Sequence, residues 1–142
     1  MADYSHGQVP VIGLFEGPFT TAGRLFETER LLRLIYRNPA VLARLLDRVT
    51  EFLLQFGQAL VENGAQALLI PEPTASSSMI SPRIFADWVL PRLQRIIRNL
   101  DRPCILHICG DTAPLLPSPP SAPPAGGGSC PGERLKEDLR ME

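Results

Sequence analysis

The segment Cys104-Ile105-Leu106-His107-Ile108-Cys109-Gly110 is a short apolar run that carries an imidazole and a thiol two residues apart. Side chains two residues apart leave the same face of a β-strand, so one strand would present His107 and Cys109 together. Imidazole nitrogen and thiolate sulfur are the ligand types that tetrahedral zinc prefers. The same spacing also fits a buried histidine beside a buried, inert cysteine. Because two-residue matches are common, spacing alone favours this second interpretation.

Two similar apolar runs lie upstream, at residues 9–15 and 66–70. Each is continuously apolar, which is typical of a parallel strand buried on both faces. The first run leads into Glu16-Gly17-Pro18, read as a loop, and the second ends at Pro71-Glu72-Pro73. The sequence therefore predicts three buried strands, with the run from Cys104 as the third.

Helical periodicity fills the segments between these runs. A helix is predicted over about residues 27–36, and Asn38-Pro39 then restarts the helix, with asparagine as N-cap and proline at the first position. Asn63-Gly64 is a typical C-terminal stop. The predicted apolar stripe between these signals is Leu42, Leu45, Leu46, Val49, Phe52, Leu53, Phe56 and Leu60.

The last predicted helix begins at Ser81-Pro82, and Pro91 is expected to kink or divide it. The order strand, helices, strand, helix, strand predicts an α/β fold with parallel strands joined by helical crossovers. Chemistry in such folds gathers at the carboxyl ends of the strands. Glu16, Glu72 and the His107/Cys109 pair all lie at or just past such ends, which strengthens the functional interpretation of the pair.

Composition excludes several classes of function. A net charge of -1 gives no electrostatic case for nucleic acid or an anionic membrane as a partner. There is no secretory signal and no apolar run long enough to span a bilayer, and three cysteines argue against a disulfide framework. We therefore expect a cytoplasmic protein in a reducing environment.

The composition changes sharply after Leu116, where a stretch rich in proline and glycine begins. We divide the chain into a domain over residues 1–116 and a disordered tail over residues 117–142. Cys130 in this tail is interpreted as incidental and not as a zinc ligand. The abrupt change also suggests a translated frameshift or a gene-model artefact, which sequencing of the locus would test.

Residues 10–115 resemble the uroporphyrinogen decarboxylase superfamily, and within it the methylcobamide:coenzyme M methyltransferase branch most closely. Four segments in the family's order carry this resemblance: residues 16–20 (EGPFT), residues 63–65 (NGA), residues 71–82 (PEPTASSSMISP) and residues 105–112 (ILHICGDT).

The resemblance implies a (β/α)8 TIM barrel in which His107 and Cys109 are two zinc ligands. It further implies that zinc activates a small-molecule thiol, which accepts a methyl group from a methylated corrinoid, carried by a possible corrinoid protein. Glu72 is a candidate for holding the zinc or the substrate, and its alternative is a solvated loop carboxylate. Thr20 is either a hydrogen-bonding group of the pocket or an ordinary capping residue.

Two other interpretations stay open. The decarboxylase branch binds a tetrapyrrole in the same barrel mouth without a metal, and a histidine–cysteine pair has no task in that reaction. The third interpretation is a non-catalytic α/β fragment that docks onto another chain through its exposed apolar edge.

A complete barrel takes about 250 residues and eight βα units, whereas this sequence predicts about three. The resemblance places the third zinc ligand, a cysteine, on a late strand outside this sequence. We expect such a fragment to have two open sheet edges and much of its barrel-facing surface in water. It is then marginally stable, aggregation-prone, or dependent on an oligomeric partner or complementing chain. Two zinc ligands without a third are expected to bind zinc weakly. No methyltransferase activity is expected from the chain alone.

Overall fold

The structure is a computed structural model that describes residues 9–115 of the 142-residue chain. Its strands are β1 (Ile12–Leu14), β2 (Ala67–Pro71) and β3 (Cys104–His107). Its α-helices are α1 (Pro18–Phe26), α2 (Thr28–Arg37), α3 (Pro39–Glu62), α4 (Pro82–Ile84) and α5 (Leu90–Asn99). A π-helical stretch (Phe85–Val89) joins α4 to α5, and short 3-10 turns lie at Pro73–Ala75 and Ala113–Leu115.

The three strands form one parallel sheet in the order β1-β2-β3. Leu14 is in register with Leu69, and Leu69 with Ile105, so these three side chains lie side by side on one face. All three strands end at the same edge of the sheet because they are parallel. The α/β architecture with parallel strands predicted from the sequence is confirmed.

The helices cover one face of this sheet. Leu68, Ile70 and Cys104 point toward them and are buried. On the opposite face Leu14 is 57% exposed and Ile105 is 47% exposed. Within residues 9–115 the strands are therefore buried on one face only, because the described helices pack on a single side, and the open face agrees with the surface that a three-strand piece is expected to leave in water.

Both edges of the sheet are also open in the described range, where no strand pairs with the outer side of β1 or of β3. This agrees with the expected open edges of a three-strand piece.

The predicted helix boundaries are confirmed by their caps. Asn38 Oδ1 accepts a hydrogen bond from the Val41 N–H at 3.3 Å at the start of α3. Ser81 Oγ accepts one from the Ile84 N–H at 3.3 Å at the start of α4. Helix α3 ends before Gly64, whose φ of 97° lies in the left-handed region that glycine adopts freely.

Helix α1 was not predicted, because Glu16-Gly17-Pro18 was interpreted as a loop. Pro18 instead occupies the first helical position, where its missing N–H costs nothing and its fixed φ suits the helix. Phe19 and Ala22 from α1 are then fully buried in the core. The helix brings its N-terminus to the edge where the strands end.

Of the kink or division expected at Pro91, the structure shows an irregular π-helical turn and no break in the helical segment. The Leu90 N–H donates to the Phe85 carbonyl, five residues back, so the backbone widens into a π-helical turn just before the proline. Such a turn absorbs the steric conflict that a proline ring creates in a regular α-helix. Helix α5 then runs on through Pro91 to Asn99.

Two members of the predicted apolar stripe of α3 lie on the surface. Phe52 is 60% exposed and Phe56 is 41% exposed, while Leu42, Leu46 and Leu53 are buried. The two rings stack with centroids 6.2 Å apart, and Phe56 meets Phe15 edge-on. The apolar stripe is thus wider than the surface that the described core covers.

Among the described residues, no helix is both long and apolar enough to cross a bilayer. The tail predicted over residues 117–142, together with Cys130, lies outside the described part of the chain.

Candidate metal centre

His107 and Cys109 lie together where β3 ends. The Cys109 sulfur is 3.5 Å from His107 Nε2, and both side chains are exposed to solvent. His107 is the last residue of β3 and follows Ile105 on the uncovered face of the sheet. Cys109 lies two residues past the end of β3 and not on the strand as predicted, but the two groups still come into contact.

Their separation suits a shared zinc ion. Nitrogen and sulfur atoms bound to one tetrahedral zinc at ordinary bond lengths stand about 3.6 Å apart, close to the 3.5 Å observed between Nε2 and Sγ. Exposure leaves both atoms open to an entering ion. Within residues 9–115 no cluster of three or more His, Cys, Asp or Glu side chains is arranged to hold a metal, so a metal ion at this pair would need further ligands.

Cys104, the first residue of β3, differs from Cys109 in its surroundings. It is buried on the helix-covered side of the sheet, and its thiol lies 3.5 Å from the Arg102 carbonyl oxygen. A buried thiol of this kind behaves as a small apolar side chain. Cys104 is therefore a natural control for any chemistry at Cys109.

Glu72 follows β2 directly and is completely buried. Its carboxylate accepts hydrogen bonds from the Phe19 N–H at 3.1 Å, from the Thr20 N–H at 2.6 Å, and from the Thr20 hydroxyl. These are the second and third residues of α1, so Glu72 caps the amino end of that helix from another element. The interpretation of Glu72 as a solvated loop carboxylate is wrong.

Burial raises the pKa of Glu72 to about 7. Removing the carboxylate from water outweighs the opposing hydrogen bonds from Thr20 and Phe19, and the nearby negative charge of Glu16 adds to the rise. The carboxyl group thus changes its charge near neutral pH in the folded chain.

The main chain of Glu72 connects this cap to the candidate metal ligands. The Glu72 N–H donates to the His107 carbonyl at 2.8 Å, which extends the β2–β3 ladder by one residue. Thr20 Oγ1 also accepts a hydrogen bond from the Thr74 N–H at 3.2 Å. Residues from α1, from the end of β2 and from β3 therefore meet around Glu72.

Glu16, the third acidic candidate at this edge, does not join that arrangement. Its carboxylate forms an ion pair with Arg24 of α1, with 2.5 Å between Oε2 and Nε, and its side chain is 27% exposed. The sequence makes Glu16 the weaker of the two candidates, and of the two only Glu72 contacts the backbone of His107. One sequence signal pointed to a capping role for an acidic side chain from elsewhere. Gly17-Pro18 has the form of a helix start but offers no side chain of its own to cap the helix.

Comparisons with known proteins identify the family of this chain. The sequence profile of the uroporphyrinogen decarboxylase (URO-D) family matches residues 1–126. A methylated-thiol–coenzyme M methyltransferase of Methanosarcina mazei is 37% identical over 111 residues, which cover 78% of this chain and 30% of that protein. A uroporphyrinogen decarboxylase of Citrifermentans bemidjiense is 35% identical over 101 residues, which cover 67% of this chain and 29% of that protein.

A solved structure, a methyltransferase from Methanosarcina mazei, superposes with a TM-score of 0.73 at 33% identity. The match covers 75% of this chain and 32% of the methyltransferase. The chain thus spans about a third of the length of the relatives that it matches. A family profile that covers most of the sequence, together with this shared fold, establishes that the chain belongs to the uroporphyrinogen decarboxylase family.

Proposed function

We propose that this chain carries two zinc ligands, His107 and Cys109, of a methyltransferase that moves a methyl group from a methylated corrinoid to a thiol. The observation that carries the proposal is the 3.5 Å separation between His107 Nε2 and Cys109 Sγ at the end of a parallel strand. A similarity to methylcobamide:CoM methyltransferases supports it, for example 32% identity to one from Methanosarcina barkeri.

We further infer that the three strands are part of a (β/α)8 barrel. The uncovered face with Leu14 and Ile105 would then be the barrel interior, and the helices would form part of the outer ring. His107 follows Ile105 on that same face at the carboxyl end, which is where TIM barrels place their active sites.

His107 and Cys109 would hold zinc through Nε2 and Sγ. Zinc bound by protein nitrogen and sulfur keeps a coordinated thiol deprotonated near neutral pH and so makes it a nucleophile. The chain itself contributes two donor atoms at this spacing at the carboxyl end of β3. Their exposure lets a substrate thiol and a methylated corrinoid reach the same place.

A contribution of Glu72 to substrate binding stays a prediction. Its carboxylate oxygens already accept three hydrogen bonds from α1, and its side chain has no exposed surface within residues 9–115. A direct contact with substrate would require these bonds to open.

The proposal is tested by metal stoichiometry and by protection of the thiol. We expect the zinc-loaded chain to retain zinc after desalting and to shield Cys109 from iodoacetamide, as read by peptide mass spectrometry. Cys109→Ala and His107→Ala should each reduce zinc retention by at least about tenfold, since each removes a ligand. Cys104→Ala is the matched control and should leave zinc retention unchanged, and equal loss in all three variants would contradict the proposal.

Methyl transfer itself is expected to need more than this chain. With two ligands and an uncovered sheet face, the zinc-loaded chain should not methylate a thiol from methylcobalamin above the rate of free thiol. Turnover well above that rate would refute the expected inactivity.

The decarboxylase interpretation gives a different result in the same samples. Uroporphyrinogen decarboxylases are among the relatives, at 35% identity for example, so porphyrin binding is the second candidate. Porphyrin binding that is independent of zinc and unaffected by Cys109→Ala would favour it over the methyltransferase.

A further inference from the structure

We propose that Glu72 is a positioning residue for the His107–Cys109 pair, because its side chain anchors α1 while its main chain anchors β3. This inference rests on the proposed function, since the pair that Glu72 positions is the proposed zinc-ligand pair.

The first observation is that the Glu72 carboxylate is buried and fully occupied by hydrogen bonds to α1. It is fully buried, and it accepts bonds from two main-chain N–H groups and one hydroxyl of α1. Gly17 has no side chain to cap the helix, and a Cβ atom on Gly17 would overlap the carboxylate. The Glu72 carboxylate thus fills the space next to Gly17 and caps the N-terminus of α1.

The second observation is that the main chain of Glu72 is hydrogen-bonded to a proposed zinc ligand, His107. Its N–H donates to the His107 carbonyl at 2.8 Å, and this is the last bond between β2 and β3 before the chain reaches Cys109. The Gly17 N–H donates in turn to the Pro71 carbonyl at 2.8 Å. The ends of all three strands are therefore fixed relative to one another within one residue of Glu72.

The third observation concerns what lies beyond this bond. Cys109 lies two residues past the end of β3 and is exposed. Because the Cys109 side chain is exposed, we infer that its distance to His107 depends on the backbone at His107. If Glu72 is replaced by a residue that cannot hold α1, we expect the His107 backbone to lose its fixed place and the two ligand atoms to lose their spacing.

Glutamine is the sharpest substitution because it keeps the size of the side chain. The amide presents one N–H₂ group toward α1 donors, so at least one of the three bonds is lost. Outer-shell partners of metal ligands typically contribute 10- to 100-fold to metal affinity. We expect Glu72→Gln to weaken cobalt binding about tenfold.

The experiment titrates the full chain with Co²⁺ and follows the sulfur-to-cobalt charge-transfer band and the d–d bands. Glu72→Gln should keep the far-UV circular dichroism of the wild type but bind Co²⁺ about tenfold more weakly, with altered d–d bands at saturation. Glu16→Gln is the matched control, because it removes a neighbouring charge outside the network and should leave affinity and spectrum unchanged.

A Glu72→Gln variant that is folded and has the wild-type affinity and spectrum would overturn the positioning role while leaving the zinc proposal intact. If that variant does not fold, Thr20→Val replaces it, since it removes one donor to Glu72 and the acceptor of the Thr74 N–H. Wild-type binding by Thr20→Val, or loss of the fold in both variants, would also overturn the positioning role. Absence of a sulfur-to-cobalt band in the wild type would instead contradict the proposed function, and the positioning role would fail with it.

Discussion

At the scale of single residues, the chain separates groups that share a chemical type. Cys104 is buried on β3, whereas Cys109 is exposed two residues past its end. Glu16 is partly exposed, whereas Glu72 is fully buried. The two-residue spacing predicted that His107 and Cys109 would meet, although Cys109 lies past the end of the strand. Sequence did not reveal the burial of Glu72, because its partners are main-chain N–H groups 53 and 52 residues away.

The buried carboxyl group makes stability depend on pH. The folded-state pKa of Glu72 is raised from 4.5 to about 7, so the folded chain keeps this proton over a range where the unfolded chain has lost it. The stabilisation of the folded chain by this bound proton is therefore complete below pH 4.5 and is lost as pH rises toward about 7. We expect the free energy of unfolding to fall by up to about 1.4 kcal/mol per pH unit within this window.

Thermal unfolding of wild type and Glu72→Gln, measured from pH 5 to pH 8, checks this expectation. The difference in stability between the two chains should shift against the wild type as pH rises to about 7 and then become constant. A difference that is independent of pH would contradict the raised pKa.

At the scale of the elements, dipeptides that contain proline or glycine correctly predict three helix boundaries, and the prediction is wrong at a fourth, the start of α1. Asn38-Pro39, Ser81-Pro82 and Asn63-Gly64 each mark a boundary of α3 or α4, as predicted. Gly17-Pro18 has the same form, but no side chain there can cap a helix. The cap of α1 comes from a distant strand end, so a local pattern could not reveal it.

The close approach at Gly17 gives a prediction at this scale. Gly17→Ala should destabilise the chain by about 1–3 kcal/mol, because the new methyl group overlaps a carboxylate that three hydrogen bonds hold in place.

The same substitution in a Glu72→Ala background is the control, since the overlapping oxygen is then gone. We expect urea unfolding to show a much smaller cost of Gly17→Ala in that background. Additive costs would show that the two residues do not conflict through this contact.

At the scale of the whole molecule, helices cover one side of a three-stranded parallel sheet and leave the other side open within residues 9–115. The α/β class and strand order followed from the three apolar runs and the helical segments between them. Those runs could not show which face the helices cover, because a continuously apolar strand has no polar side. Leu14 and Ile105 lie on the open face and Leu68 on the covered one.

Because one face of the sheet is open, we expect a lysine substitution to change the free energy of unfolding by very different amounts on β1 and on β2. Leu14→Lys should leave the free energy of unfolding within about 0.5 kcal/mol of the wild type and reduce self-association, since Leu14 is 57% exposed. Leu68→Lys should cost more than about 4 kcal/mol, because Leu68 is fully buried against the helices.

Sedimentation velocity and thermal unfolding report these two effects. Severe destabilisation by Leu14→Lys would show that the face is covered in solution.

The most direct test of the zinc-ligand pair is X-ray absorption at the zinc edge. The sample is the zinc-loaded chain with Cys104→Ala and Cys130→Ala, which leaves Cys109 as the single thiol among the three cysteines. We expect one sulfur at about 2.3 Å and an imidazole nitrogen at about 2.0–2.1 Å in the first coordination shell. A shell of oxygen and nitrogen without sulfur would contradict the assignment of His107 and Cys109 as zinc ligands.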